Sequence, residues 1–183
     1  MSILFVNACV REDSRTLLLA EDYLKKCTGP VEELCLETAG LQPLNRALLA
    51  ERDRLTAAEA WDAPYFAPAR QFAGADEIVI AAPFWDLGFP ALLKIYLENI
   101  TVAGITFCYE HHVPKGLCRA KKLTFVTTSG GPIFADFGYP YLKALATGFY
   151  GIPEVCCLRA ENLDGAHITR VTLFEKTEIK VLD

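Results

Sequence analysis

The chain has 183 residues, a length that fits one domain with a well-buried core, and we expect residues 1–183 to form a single domain. Its 52% of hydrophobic and 22% of charged residues are typical of a compact soluble protein and exclude a disordered one. The net charge of −5 argues against a nucleic-acid partner, and no apolar run approaches the roughly 20 residues that cross a membrane.

The first stretch, MSILFVNACVRED, has no basic region before its short apolar run. We interpret it as a buried strand rather than a signal peptide, and we therefore expect a cytoplasmic protein. The seven cysteines are odd in number and contain no C-x-x-C pair, so we expect reduced thiols rather than disulfides or a metal site. Adjacent His111 and His112 seldom face the same way, and we assign them to an exposed loop.

Along the chain, predicted strands alternate with predicted helices. Runs of β-branched and aromatic residues predict strands at 3–6, 31–36, 77–82, 122–128 and 155–158. Helices are predicted after Ser14, in part of 44–60, after Pro90 and at 141–149, and we also favour a helix at 166–183. This alternation indicates an α/β fold, a doubly wound five-stranded parallel sheet with helices on both faces.

In such a sheet a ligand binds beyond the carboxyl ends of the strands, where the strand order reverses. Three loops occupy those ends here, at 7–16, 83–90 and 129–139. The sequence therefore predicts a site where these three loops meet.

The first loop contains CVREDSRT at 9–16 and allows three interpretations. Ser14 and Thr16 can donate hydroxyl hydrogen bonds beside a helix N-terminus, and Arg11 and Arg15 add positive charge, as expected for a phosphate site. The same residues also fit an ordinary helix cap with nothing bound. Finally, the C-x5-R spacing fits a phosphatase with Cys9 as its nucleophile, although the loop has no glycine and the chain has no Asp-Pro pair to supply a general acid.

The second and third loops suggest a flat ligand. The second loop carries Pro83, Phe84, Trp85 and Asp86, and large aromatic side chains exposed on a loop need a flat partner such as a cofactor ring, a substrate or another subunit. The third loop carries Ser129, Gly130 and Gly131, where the absence of side chains lets backbone amides approach a ligand closely. A phosphate at one end and a flat ring at the other describe FMN.

These residues resemble the FMN-dependent NADH:quinone reductase and azoreductase family of the flavodoxin-like fold. The resemblance is strongest from residue 78 to about 152, in IVIAAPFWDLGFPALLKIYLENI and in AGITFCYEHHVPKGLCRAKKLTFVTTSGGP. It implies that Ser14 and Thr16 hold the FMN phosphate, that 83–86 and 129–131 flank the isoalloxazine, and that Tyr109 lies on the substrate side. Where the family has Asn in the aromatic turn, this chain has Asp86. An amide can donate to the polar edge of the flavin, whereas an ionised carboxylate can only accept, which leaves three alternatives: Asp86 turns away, holds a proton, or accepts from a flavin N–H.

The resemblance also implies the activity: ping-pong hydride transfer from NADH or NADPH, through FMN, to a quinone, an azo compound or a similar flat acceptor. No side chain needs to act as a catalytic nucleophile. A homodimer is implied too, with the flavin sites at its interface. Besides the phosphatase, a second alternative is a flavodoxin-type electron carrier, but such carriers are strongly acidic around the flavin and a net charge of −5 is modest.

Overall fold

The computed structural model describes residues 1–164 and 178–183. Its main sheet has the strand order β2-β1-β3-β6-β7-β8. Five strands are parallel: β1 (Ile3–Asn7), β2 (Val31–Cys35), β3 (Glu77–Ala81), β6 (Lys122–Thr128) and β7 (Glu154–Ala160). They confirm the predicted doubly wound parallel sheet, to which the structure adds β8 (Ile179–Leu182) as an antiparallel edge strand.

Helices cover both faces of the sheet, as predicted. The described part of the chain has five α-helices: α1 (Arg15–Leu24), α2 (Arg46–Ala57), α3 (Ala67–Gly74), α4 (Ala91–Ile100) and α5 (Tyr139–Leu145). A 3-10 turn (Pro64–Phe66) precedes α3, and α5 continues into a π-helical turn (Ala146–Tyr150). Helix α1 packs on one face through Leu19 and Ala20, while buried side chains of the other helices belong to the core of the opposite face.

The core follows from the alternation of side chains along each strand. In β1, Ile3 and Phe5 face the α1 side, whereas Leu4 and Val6 face the larger core. All four are buried, which explains why a continuous apolar run forms a strand here. Among the described residues, no helix is long and apolar enough to cross a membrane.

Two predictions need correction or extension. The predicted helix at 166–183 is wrong at Ile179–Leu182, which pair with β7 instead, and its part at 166–177 lies outside the described residues. A hairpin of β4 (Phe107–Glu110) and β5 (Val113–Gly116) was not expected from the sequence. Its turn is formed by His111 and His112, both exposed as predicted.

The order of the five parallel strands places the reversal between β1 and β3. β1 is followed in sequence by β2 on one side and is flanked by β3 on the other, so the connections leave these two strands in opposite directions. This is the switch point at which flavodoxin-like sheets bind their ligands.

Candidate functional site

A cavity of about 560 Å³ lies at the carboxyl ends of the strands, a volume within the range of small-molecule sites. All three predicted loops contribute to it. Predicted site residues in its lining are Arg11, Ser14, Arg15, Thr16, Pro83, Phe84, Trp85 and Gly130. Asp86, Ser129 and Gly131 do not line it, although they belong to the same loops.

At one end of the cavity, helix α1 begins with unpaired backbone donors. The Ser14 hydroxyl oxygen accepts a hydrogen bond from the N–H of Leu17 at 3.2 Å, which fixes the start of the helix. Among the described residues, the N–H groups of Arg15 and Thr16 have no hydrogen-bond partner. Together with the helix dipole, these groups make this end suitable for an anion.

The Thr16 hydroxyl is already engaged within the protein. It lies 2.7 Å from the hydroxyl of Thr128, and both side chains are buried. The hydrogen bond joins the start of α1 to the end of β6. Thr128, which also lines the cavity, thus fixes Thr16 in place.

The two arginines of the first loop differ in their surroundings. Arg11 is exposed at the cavity wall. Arg15 is partly buried, and its guanidinium donates to the carboxylate of Asp164 at 3.0 Å and to the carbonyl of Leu163. No motif in the sequence links Arg15 with residues so far along the chain.

Cys9 is poorly placed for nucleophilic chemistry. Its thiol is buried, does not line the cavity, and lies 3.7 Å from the carbonyl oxygen of Ala81. Burial raises the pKa of the Cys9 thiol to about 11, outweighing the opposing effect of a hydrogen bond with Ser14. A phosphatase nucleophile needs an accessible thiolate, so this geometry argues against the phosphatase interpretation.

The aromatic loop forms a tight two-residue turn. Trp85 and Gly88 exchange backbone hydrogen bonds of 2.8 and 3.2 Å, and Asp86 and Leu87 occupy its tip with φ angles of 51° and 64°. Two positive φ angles in succession are typical of a type I′ turn. The turn presents Phe84 and Trp85 to the cavity and directs Asp86 to an exposed position outside its lining.

The third loop offers backbone donors. The carbonyl groups of Ser129, Gly130 and Gly131 all accept hydrogen bonds from residues 162–164. Among the described residues, no group accepts from the N–H of Gly130 or Gly131. These two amides remain available to a ligand with oxygen or nitrogen acceptors.

Tyr109 is not brought to the cavity of its own chain. It lies on β4, is 62% exposed, and makes an edge-to-face contact with Phe107 at 5.4 Å. Its assignment to the substrate side stays a prediction. Within residues 1–164 and 178–183, no group of histidine, cysteine or acidic residues could hold a metal ion.

The parts of the site fit the parts of FMN. Unpaired N–H groups at α1 suit a phosphate, the aromatic side chains of Phe84 and Trp85 suit a flat ring, and the amides of Gly130 and Gly131 suit the polar edge of that ring. Sequence reasoning missed Asp164 in the lining, because the residue follows the last core strand and carries no motif.

Comparisons with known proteins agree with this fold. A family model described as the flavodoxin-like fold matches residues 1–176. The FMN-dependent NADH:quinone oxidoreductase of Caldicellulosiruptor saccharolyticus is 34% identical over 175 residues, covering 88% of this chain and 87% of that protein. The protein of that name from Lachnoclostridium phytofermentans is 44% identical over 97 residues, covering 51% of this chain and 48% of the relative.

Among solved structures, an azoreductase from Bacillus anthracis superimposes with a TM-score of 0.74 at 24% identity, covering 88% of this chain and 87% of the other. At this identity the likeness concerns the fold alone. Since the family model spans nearly all of the chain, the chain belongs to the flavodoxin-like fold family, alongside the FMN-dependent NADH:quinone oxidoreductases.

Proposed function

We propose that this chain is an FMN-dependent oxidoreductase that accepts hydride from NADH or NADPH and passes two electrons to a quinone, an azo compound or a similar flat acceptor. One observation carries the proposal. A single cavity at the strand switch point combines an anion site at α1, an aromatic wall and the unpaired amide of Gly130. A 34% identical relative bears the name FMN-dependent NADH:quinone oxidoreductase, which supports the same activity.

In this function the protein binds and orients the cofactor. FMN supplies the redox chemistry, because its ring accepts hydride and returns two electrons. The Arg15 and Thr16 amides, with Ser14 and Arg11, would hold the phosphate. Phe84 and Trp85 would support the ring.

The third loop would contribute electrostatic stabilisation. Negative charge collects on the polar edge of a reduced flavin, and preorganised N–H donors stabilise such charge without any reorganisation during the reaction. The amides of Gly130 and Gly131 are suited to this role because their carbonyl groups are already bonded to residues 162–164. No side chain in the cavity is required as a nucleophile.

We also propose a homodimer in the cytoplasm. Exposed aromatic side chains lie on the second and third loops, with Trp85 37%, Phe137 69% and Phe134 84% exposed. Burying each such side chain stabilises an interface by roughly 1.5–3 kcal/mol, so a second copy of this chain is a suitable partner. All seven cysteines are free thiols, which supports a reducing compartment.

The test is an absorbance spectrum of the purified protein mixed with FMN, desalted, and then mixed anaerobically with NADH or NADPH. We expect a retained yellow colour that bleaches with at least one of the two nucleotides. Retained colour without bleaching would favour the flavodoxin-type electron carrier. A colourless protein would contradict FMN binding itself, and sedimentation of the loaded protein measures the dimer separately.

A further inference from the structure

The third loop is held in place by a short segment outside the three predicted loops, residues 162–164, which binds its carbonyl groups. Three backbone hydrogen bonds join them: Asn162 N–H to Gly131 at 3.3 Å, Leu163 N–H to Ser129 at 3.2 Å, and Asp164 N–H to Gly130 at 2.9 Å. The segment therefore occupies the carbonyl groups of the loop, while the N–H groups of Gly131 and of Gly130, which lines the cavity, have no acceptor among the described residues.

The last residue of this segment also reaches the first loop. The Asp164 carboxylate accepts a hydrogen bond from Nη2 of Arg15 at 3.0 Å, and Nη1 of Arg15 donates to the carbonyl of Leu163. Arg15 is the first residue of α1, and both Arg15 and Asp164 line the cavity. The ion pair thus connects the anion end of the cavity to the third loop across its rim.

The Asp164 carboxylate packs against Gly130, in the space that a side chain at position 130 would occupy. A Cβ atom added at Gly130 would lie 2.0 Å from Oδ2 of Asp164, and its three nearest atoms all belong to that carboxylate. The Asp164 side chain is 75% exposed, so it would move aside rather than the backbone. Substituting Gly130 by alanine should therefore break the ion pair without changing either of its members.

We propose that Asp164 is a positioning residue of the cofactor site: paired with Arg15 and seated on Gly130, it closes the rim of the cavity and slows the release of FMN. This inference rests on the proposed FMN binding. The predicted effect is opposite to that of charge alone, because an acidic side chain near a phosphate should by charge alone weaken the binding of that phosphate. Removing Asp164 should nevertheless weaken retention.

Asp13 supplies the matched control. It is acidic, exposed and lines the same cavity, but has no hydrogen-bond or ion-pair partner among the described residues. Asp13→Asn removes the same charge as Asp164→Asn but leaves the ion pair between Arg15 and Asp164 intact. The charge effect alone should make Asp13→Asn release FMN more slowly than the wild type.

The experiment measures the rate of FMN release, by the fluorescence of the freed cofactor after dilution of the loaded full-length protein. We expect Asp164→Asn to release FMN roughly two- to fivefold faster than wild type, as fits one partly exposed ion pair. Gly130→Ala should accelerate release similarly, and the double variant should be no faster than Asp164→Asn alone.

Release from Asp164→Asn that is unchanged or slowed, as for Asp13→Asn, would overturn the proposal, and so would effects that multiply in the double variant. Should Gly130→Ala fail to fold, the release rates are compared with and without added salt instead. Salt screens the ion pair, so it should reduce the difference in FMN release rate between the wild type and Asp164→Asn. A wild type that retains no FMN would refute the proposed function, and this inference with it. Thermal unfolding of the cofactor-free variants reports any general loss of stability.

Discussion

Arg159 on β7 is the cation of a buried charge group next to the third loop. Its Nη2 donates to the carboxylate of Asp136, and its Nη1 lies 3.9 Å from Oε1 of Glu161. The three side chains are only 11–14% exposed. Arg159→Met keeps most of the side-chain length but leaves both carboxylates without this partner.

The expected loss follows from the burial of these charges. Removing one partner of a buried ion pair costs about 3–5 kcal/mol, because the other charge is left unpaired in a desolvated site. Asp136 also accepts hydrogen bonds from the N–H groups of Gly138 and Tyr139, at 2.8 and 3.1 Å, so part of its stabilisation remains. Nε of Arg159 is buried and has no hydrogen-bond partner among the described residues, which further lowers the net contribution of this side chain to the free energy of unfolding.

We therefore expect Arg159→Met to lower the free energy of unfolding by about 3 kcal/mol, and Tm by about 6–12 °C for a chain of this size. Urea and thermal unfolding of the cofactor-free protein measure both. The control is Arg119→Met, since Arg119 pairs with Asp76 at 2.9 Å but is 59% exposed, and we expect a loss below about 1 kcal/mol. Equal losses in the two variants would refute the role of burial.

Three further predictions concern single residues. Leu87 has a left-handed φ of 64°, so Leu87→Gly should raise the free energy of unfolding in urea by about 0.5–1 kcal/mol; a loss would show that its side chain matters more than its backbone. The Cys9 thiol, with its pKa raised to about 11 by burial, should react with iodoacetamide at pH 8 only after unfolding, and rapid native labelling would contradict this. Burial alone would raise the pKa of Glu161, but hydrogen bonds from Ile133 and Lys180 outweigh it and lower the pKa. The wild type should therefore be more stable than Glu161→Gln above about pH 4.5, as measured by urea unfolding. This difference in stability should disappear as the pH falls through the pKa of Glu161 in the folded protein, and a difference that persisted would contradict the prediction.

The central strands and the place of the site could be predicted because strong local signals specify them. Continuous apolar runs can be buried on both faces only inside a sheet, and β1, β3 and β6 form where such runs occur. Helix α4 begins after Pro90 and buries the apolar positions that recur at helical spacing. Once strands and helices alternate, the topology brings the three loops to one edge.

The hairpin and the edge strand β8 could not be predicted because their signals are weak. β4 and β5 have four residues each, and their turn uses His111 and His112 at φ angles of 50° and 66° instead of the usual Asn-Gly. β8 is also short and partly exposed, and its pairing with β7 depends on contacts distant in sequence. Tertiary pairing, rather than local propensity, determines such strands.

The contacts of the candidate site also differ in how far apart their residues lie in the sequence. Ser14 was predictable as a cap because the cap depends only on its neighbours, but the partner of Arg15 lies 149 residues away. Asp86 shows what a local pattern still explains. Both Asn and Asp tolerate the left-handed backbone of this turn, so Asp86 fits the turn as well as Asn would. Asp86 lies outside the cavity lining, so we expect donation to the polar edge of a bound ring to come from the amides of the third loop.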